Sequence, residues 1–325
     1  PTEGTHPGQS GKSILEYLLL CSSSSSTSSS SSSTTTTTSS GSTSTSGSAS
    51  GGGAVVPPDM GIFLPVSYRL HPELCDVVSA LVYDGELRAH PSNARRTLQL
   101  LDNSDDNKGK SAGRLLDRGA GLVVVPVAHS GNTQASSEEA AAVVDIVREL
   151  LDPSRTRLAG GGGDGDNGDG DESGLGRALT MDDILFVSPF NLQVQRLSAA
   201  LRNAAETIPS RKVAKHVSAG TGAARVGTVD RFQGQEAPVV IVSLARSSFG
   251  QADDGAATAE DGNDNEGNGV DNGVRRLNVA LSRAQCLAIV VMSPQLSAAS
   301  AASLEQMRAL SFACRLLEGN GDGVE

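Results

Sequence analysis

From residue 57 onward the chain alternates short, unbroken apolar runs with segments whose apolar residues recur at helical spacing. Residues 121–127 (GLVVVPV), 183–187 (DILFV), 239–244 (VVIVSL) and 287–292 (LAIVVM) are apolar at almost every position. That is the pattern of strands buried on both faces of a parallel sheet, since a half-exposed strand alternates instead. A shorter run of the same kind occupies 226–229, and the apolar stretch 61–65 leads into Tyr68-Arg69-Leu70-His71-Pro72. Residues 73–83 then read as a helix stopped by Asp84-Gly85. Ser136-Ser137-Glu138-Glu139 reads as an N-cap with acids in the first turn, opening a helix over 140–151. Further helices are expected at 192–201, 275–284 and 304–317, with a tight turn at Gln233-Gly234. Continuous strands alternating with helices predict an α/β fold, a parallel sheet covered on both faces. Ligands of such sheets gather beyond the carboxyl ends of the strands. Ser188, Thr228, Asp230 and Tyr68-Arg69 each end or follow an apolar run.

Composition changes the picture of size. Of the 325 residues, 26 of the 29 at positions 22–50 are serine or threonine, and 160–176 and 250–273 are nearly all Gly, Asp, Asn, Glu and Ala. Segments of this kind cannot bury enough apolar surface to offset the entropy of ordering them. Without 22–53, 160–176 and 250–273, 252 residues remain, which suits one medium-sized domain with long insertions. Charge changes in the same way. The formal net charge of −11 argues against a nucleic-acid partner. The two acidic segments carry twelve of the acids and no Lys or Arg, so the rest stands at +1 and the argument lapses.

No apolar run approaches the ~20 residues that span a bilayer, and no secretory signal opens the chain. No membrane partner is therefore expected. Cys21, Cys75, Cys286 and Cys314 are widely separated and the five histidines scattered, which disfavours a disulfide framework or a metal site. The cytosol or nucleus is the expected compartment. A chain that begins at Pro1 without methionine is expected to be a fragment or a processed piece.

Two candidate sites fail on their own chemistry. His6-Pro7-Gly8-Gln9-Ser10-Gly11-Lys12-Ser13 looks like a phosphate-binding loop, but His6 replaces the first glycine and no strand fits into the five residues before it. The Asp164–Asp171 stretch hints at calcium, yet no register supplies the acids an EF-hand loop needs.

Three other segments carry more. Tyr68-Arg69-Leu70-His71-Pro72 precedes a helix; Thr228-Val229-Asp230-Arg231-Phe232-Gln233-Gly234-Gln235-Glu236 precedes a strand, as does Arg275-Arg276-Leu277-Asn278-Val279-Ala280-Leu281-Ser282-Arg283-Ala284. Taken singly, each has a plain explanation: Arg69 could pair with Glu73, Gln233-Gly234 could be an ordinary turn, and the arginines could be a solvated helix face. Together, in this order and with Ser188-Pro189-Phe190 and Gln193, they resemble the second RecA-like motor domain of superfamily 1 helicases. The branch is the one that includes the nonsense-mediated-decay RNA helicase, senataxin and the helicases fused to RecB-like nucleases, the last being the nearest in pattern. Residues 1–7 are similar to the segment just beyond the motif that closes the first motor domain.

The resemblance implies a domain plan and a set of roles. Residues 1–21 would be the tail of the preceding motor region and 22–56 a Ser/Thr/Gly-rich disordered insertion. Residues 57–318 would be the second RecA-like domain, interrupted by disordered insertions at about 102–118, 160–176 and 250–273, with 319–325 a tail. Arg69 and Arg283 would be arginine fingers for ATP whose Mg²⁺ and phosphates sit mainly on a first RecA-like lobe. Tyr68, Gln233, Gly234 and Glu236 would complete the ATP site, with Glu236 on the ribose. Ser188, Pro189 and Thr228 would contact single-stranded DNA or RNA. Gln285 stands where many relatives carry Lys or Arg. Alone, the chain is expected to lack ATPase activity. Competing readings are a non-catalytic module binding nucleic acid or protein, a stand-alone P-loop kinase or GTPase built on Gly8–Ser13, and a mainly disordered interaction protein.

Overall fold

In a computed structural model the described residues are 62–101, 115–159, 176–204, 224–248, 270–298 and 304–318. The His6–Ser13 loop, the 22–56 tract, the Asp164–Asp171 stretch and most of 250–273 lie outside them. Contacts divide the chain into two units, residues 1–64 with 264–266, and 65–263 with 267–325. Of the first, residues 62–64 are described, with Ile62 and Leu64 exposed. Every element below belongs to the second.

The apolar runs form one five-stranded, wholly parallel sheet: β4 (Gly121–Pro126), β7 (Ile184–Val187), β8 (Arg225–Gly227), β9 (Ala237–Ser243) and β10 (Ala284–Met292), in the order β4-β10-β9-β7-β8. Alternate residues of each strand face opposite sides, so one run feeds two cores. Ile184, Phe186, Val239, Ile241, Leu287 and Ile289 pack under α2 (Ser137–Leu151) and α3 (Asn191–Ala204). Leu185, Val187, Val240, Val242, Ala288 and Val290 pack under α1 (Pro72–Val82), α4 (Val270–Leu281) and α5 (Leu304–Glu318). The expected α/β fold, a parallel sheet with helices on both faces, is what the chain forms. It is the architecture of a RecA-like domain.

Two small features accompany the sheet. β3 (Thr97–Leu100), β5 (Thr156–Ala159) and β6 (Arg177–Ala178) make an antiparallel flap, in which Arg177 grips Asp183 through both carboxylate oxygens at 2.7 and 2.5 Å. β1 (Val66–Ser67) pairs in parallel with β2 (Arg88–Ala89). Boundaries differ from expectation in three places. Leu116 is completely buried, so folded structure resumes before the end of the 102–118 insertion. Helix α4 begins at Val270, inside the acidic segment. The expected helix 275–284 ends at Leu281, and Ala284 already belongs to β10, which leaves Arg283 in the turn between them.

The adjacent glutamates of the α2 N-terminus have opposite fates. Ser136 caps the helix, its hydroxyl accepting from the Glu139 N–H at 3.1 Å. Glu138 remains outside, its carboxyl held below the usual range by backbone and by Ser136 and Asn132 hydrogen bonds. Glu139, one residue on, turns about 100° into the core and is completely buried.

Candidate ATP and strand interfaces

The candidate residues collect at opposite ends of the parallel sheet. At its amino end, β9 and β10 do not run in step: Ala284 pairs with Ala237 and Leu287 with Val239, one extra residue on β10. This bulge re-aims the side chain beside it. Gln285 uses it to bind in two directions, its backbone carbonyl accepting from the His71 N–H (2.8 Å) and its Nε2 donating to Glu236 Oε1 (2.8 Å). The loop carrying Tyr68 and Arg69 is thereby pinned to the amino end of the central strands β9 and β10.

Arg69 completes the cluster. Its Nε donates to Glu236 Oε2 (2.5 Å) and its Nη1 to the Ser282 carbonyl (3.0 Å). It pairs with Glu236 and not with Glu73, its neighbour one helical turn on. Burial alone would raise the Glu236 carboxyl, but hydrogen bonds from Arg69 and Gln285 hold it below the usual range. Arg283 lies near enough that burial, and then the positive charge of Arg69, lower its guanidinium. Among the described residues the Arg283 Nε is buried without a hydrogen-bond partner. Glu236 thus faces the charges of Arg69 and Arg96, and Arg283 stands beside Arg69, a surplus of positive charge that favours arrival of an anion. Neighbouring residues hold the backbone: Arg96 Nη1 donates to the carbonyls of Tyr68 (3.2 Å) and Arg69 (3.0 Å), and Asn93 Nδ2 to those of Ser67 and Leu70 (3.0 Å each). Tyr68 is 69% exposed and stacks on His90 with ring centroids 4.7 Å apart. Nothing in the sequence pattern singles out Arg96, Asn93 or His90, because each acts from outside the motifs.

Gln233, Gly234 and Glu236 are exposed. A short 3-10 turn over Asp230–Phe232 ends in Gly234, whose φ of +80° is a left-handed conformation that glycine adopts without strain. Arg276 reaches back toward Asp230 at 3.9 Å.

At the carboxyl end lie the candidate strand contacts. Pro189 and Thr228 are half-buried, whereas Ser188 is completely buried, its N–H donating to the Gly227 carbonyl (3.2 Å) and its Oγ accepting from the Phe190 N–H. Ser188 therefore shapes the turn from inside. Gln193 is buried too: its Oε1 accepts from the Ser136 N–H (2.8 Å) and its Nε2 donates to Ser243 Oγ (2.8 Å). Below them Glu139 receives hydrogen bonds from Ser243 Oγ (2.6 Å) and the Ala245 N–H (2.9 Å), and lies 2.9 Å from His129 Nε2. Burial pushes the Glu139 carboxyl up.

A family profile described as AAA domain matches residues 55–295. The chain belongs to the AAA domain family. Curated relatives of this AAA domain include "DNA-binding protein SMUBP-2" of Rattus norvegicus, 26% identical over 68% of the chain and 17% of that protein. The same protein of Mesocricetus auratus is 28% identical over the same shares. "Putative helicase mov-10-B.1" of Danio rerio is 25% identical over 70% of the chain and 19% of that protein. The AAA domain chain thus spans under a fifth of the length of these relatives. Family and relatives together support a superfamily 1 helicase-type domain. Among the described residues, no three or more His, Cys, Asp or Glu could hold a metal ion, and no helix is long and apolar enough to cross a membrane. The unpartnered Arg283 Nε and the surplus of cations suit a triphosphate.

Proposed function

We propose that this chain is the second motor lobe of an ATP-dependent superfamily 1 helicase. In this reading ATP and Mg²⁺ are held chiefly by a first RecA-like lobe of the parent protein, and the present chain closes on them. The observation that carries the reading is the convergence of Arg69, Glu236 and Arg283, from three distant segments, at the amino ends of the central strands β9 and β10. Arg283 and Arg69 then neutralise charge developing on the transferring γ-phosphoryl group, a task suited to the permanently charged guanidinium fork. Glu236 accepts from a ribose hydroxyl, and in doing so gives up Arg69 to the phosphates. Tyr68, already stacked on His90, offers a flat face to the base. Gln233 and Gly234 shape the turn that presents Glu236. At the other end, Pro189, Thr228 and the turn closed by Ser188 lie along a single strand of DNA or RNA, touching its backbone without reading sequence. A RecB-like nuclease module is a further partner in the parent protein, on the strength of the sequence pattern.

The test is reconstitution. Alone, the purified chain is expected to turn over no ATP; with a first RecA-like lobe it is expected to become a nucleic-acid-stimulated ATPase. Arg283→Lys in that assembly keeps the charge and loses the fork, and is expected to abolish turnover. ATP hydrolysis by the chain alone, lost on changing Lys12, would instead make the His6–Ser13 loop the site.

A further inference from the structure

Arg246 has no part in the roles above, yet its position is unusually well determined. It lies just past the carboxyl end of β9, between two residues held from beneath. Ala245 is completely buried, donates its N–H to Glu139 and has a φ of +62°. A β-carbon disfavours that left-handed conformation by about 1–2 kcal/mol, so the buried carboxylate is enforcing it. Ser247 is buried as well. Its N–H donates to the Asn132 carbonyl (3.0 Å), and its Oγ accepts from the Asn132 N–H (3.0 Å) and lies 2.8 Å from His129 Nδ1. With both neighbours turned inward, the half-buried Arg246 is the one presented outward.

Its head group is also oriented. The guanidinium carbon stands 5.2 Å from the centroid of the Phe190 ring, and Nε donates to the Thr133 carbonyl at 3.3 Å. These contacts occupy one face and one donor of the fork, and among the described residues nothing takes up its four Nη–H donors. Among the described residues no carboxylate pairs with it. Phe190 belongs to the Ser188-Pro189-Phe190 turn, so Arg246 is carried against the segment proposed to follow the strand.

We infer that Arg246 is a phosphate-binding residue for single-stranded nucleic acid, preset by Phe190 above it and by the Glu139–His129 network beneath. The inference rests on the proposal that the carboxyl end of the sheet takes a single strand. A planar fork bonds phosphodiester oxygens two at a time, and stacking on an aromatic ring lowers the entropy lost when it does so. The ligand here is not the ATP of the opposite edge. Arg246 and Glu236 are separated by the seven residues of β9, which at about 3.3 Å per residue put them roughly 20 Å or more apart.

The experiment measures binding of the full 325-residue chain to fluorescent mixed-sequence single-stranded DNA and RNA of about 20 nucleotides, between about 50 and 200 mM salt. Arg246→Ala is expected to weaken binding about tenfold, and to reduce the slope of log affinity against log salt by about 0.7, one phosphate contact on a single strand. Arg246→Lys should keep the slope and lose part of the affinity. Phe190→Leu should fall between the two. Should Arg246→Ala melt early by circular dichroism, Arg246→Gln, which retains the stem, is expected to show the same loss and the same slope. Wild-type affinity and slope in the neutral variants would overturn the assignment while leaving the strand-binding reading intact. Failure of the wild-type chain to bind either strand at low salt would overturn both.

Discussion

The two ends of the parallel sheet are built on opposite principles. At the carboxyl end a buried carboxylate, Glu139, is saturated: two donors and an imidazole surround it, and it in turn fixes the loops after β4 and β9. At the amino end Glu236 is exposed, and it faces more positive charge than it neutralises, with one Arg283 nitrogen left unpartnered. A group with every partner in place stabilises the fold. A group short of partners is held ready for a ligand, at a cost the rest of the domain absorbs. The contrast lies in hydrogen-bond satisfaction more than in location. Asp183, near the amino end of β7, is saturated like Glu139: burial alone would raise its carboxyl, but Arg177 and Thr180 bring it below the usual range.

Four substitutions probe this contrast. The largest effect is expected at Arg283. With a first lobe supplied, Arg283→Ala should lower ATP turnover by about 10³–10⁵, or about 4–7 kcal/mol of barrier, while the thermal midpoint of the chain stays near that of wild type. A large fall in midpoint would show Arg283 to be a structural group and erase the contrast. Glu139→Leu should do the reverse. By stranding Ser243, His129 and the Ala245 N–H in the core it is expected to cost about 3–5 kcal/mol in urea unfolding. Asp183 tests whether saturation matters rather than position. Its carboxyl is depressed in the folded state, so its contribution is fully present above the unfolded carboxylate range and is lost as pH falls through the lower folded value. Urea midpoints measured from pH 6 down to pH 3 should fall for wild type, and Asp183→Asn should flatten that decline. The smallest effect is expected at Gly234→Ala. Nothing lies within 4 Å of an added Cβ there, so the left-handed φ alone should cost about 1 kcal/mol.

Much of the frame is legible in the chain because burial on both faces demands unbroken apolar runs. β7, β9 and β10 appear where residues 183–187, 239–244 and 287–292 predict them. The antiparallel flap escapes prediction because TLQL, TRLA and RA are too short and too mixed in polarity to show a period. The end of α4 is hidden for a related reason, since the apolar spacing of residues 275–284 continues smoothly into β10. At the site, the motifs name Arg69, Glu236 and Arg283 but say nothing of how they meet, because pairing across 167 residues is a property of topology. A bulge at Gln285 or a buried Glu139 beside an exposed Glu138 carries no local signal. Ser188 and Thr228 do follow the carboxyl ends of β7 and β8, whereas Tyr68 and Arg69 do not stand at that end of the sheet. The Arg69 cluster stands at the amino ends of β9 and β10.

The connection from β8 to β9 links the two ends. Gly227 lies level with Val187, and Val187 with Val242, whereas β9 begins at Ala237. Residues 228–236 must therefore travel back along the sheet by about five residues, or roughly 16 Å. Thr228 is at one end of that span and Glu236 at the other, with the 3-10 turn and Gly234 between them. The same nine residues form a tie-rod: a displacement at the Thr228 end has a short, covalent path to the Glu236 end. Its stiffness, set by the Asp230–Phe232 turn, would then fix how much of a step at one end reaches the other.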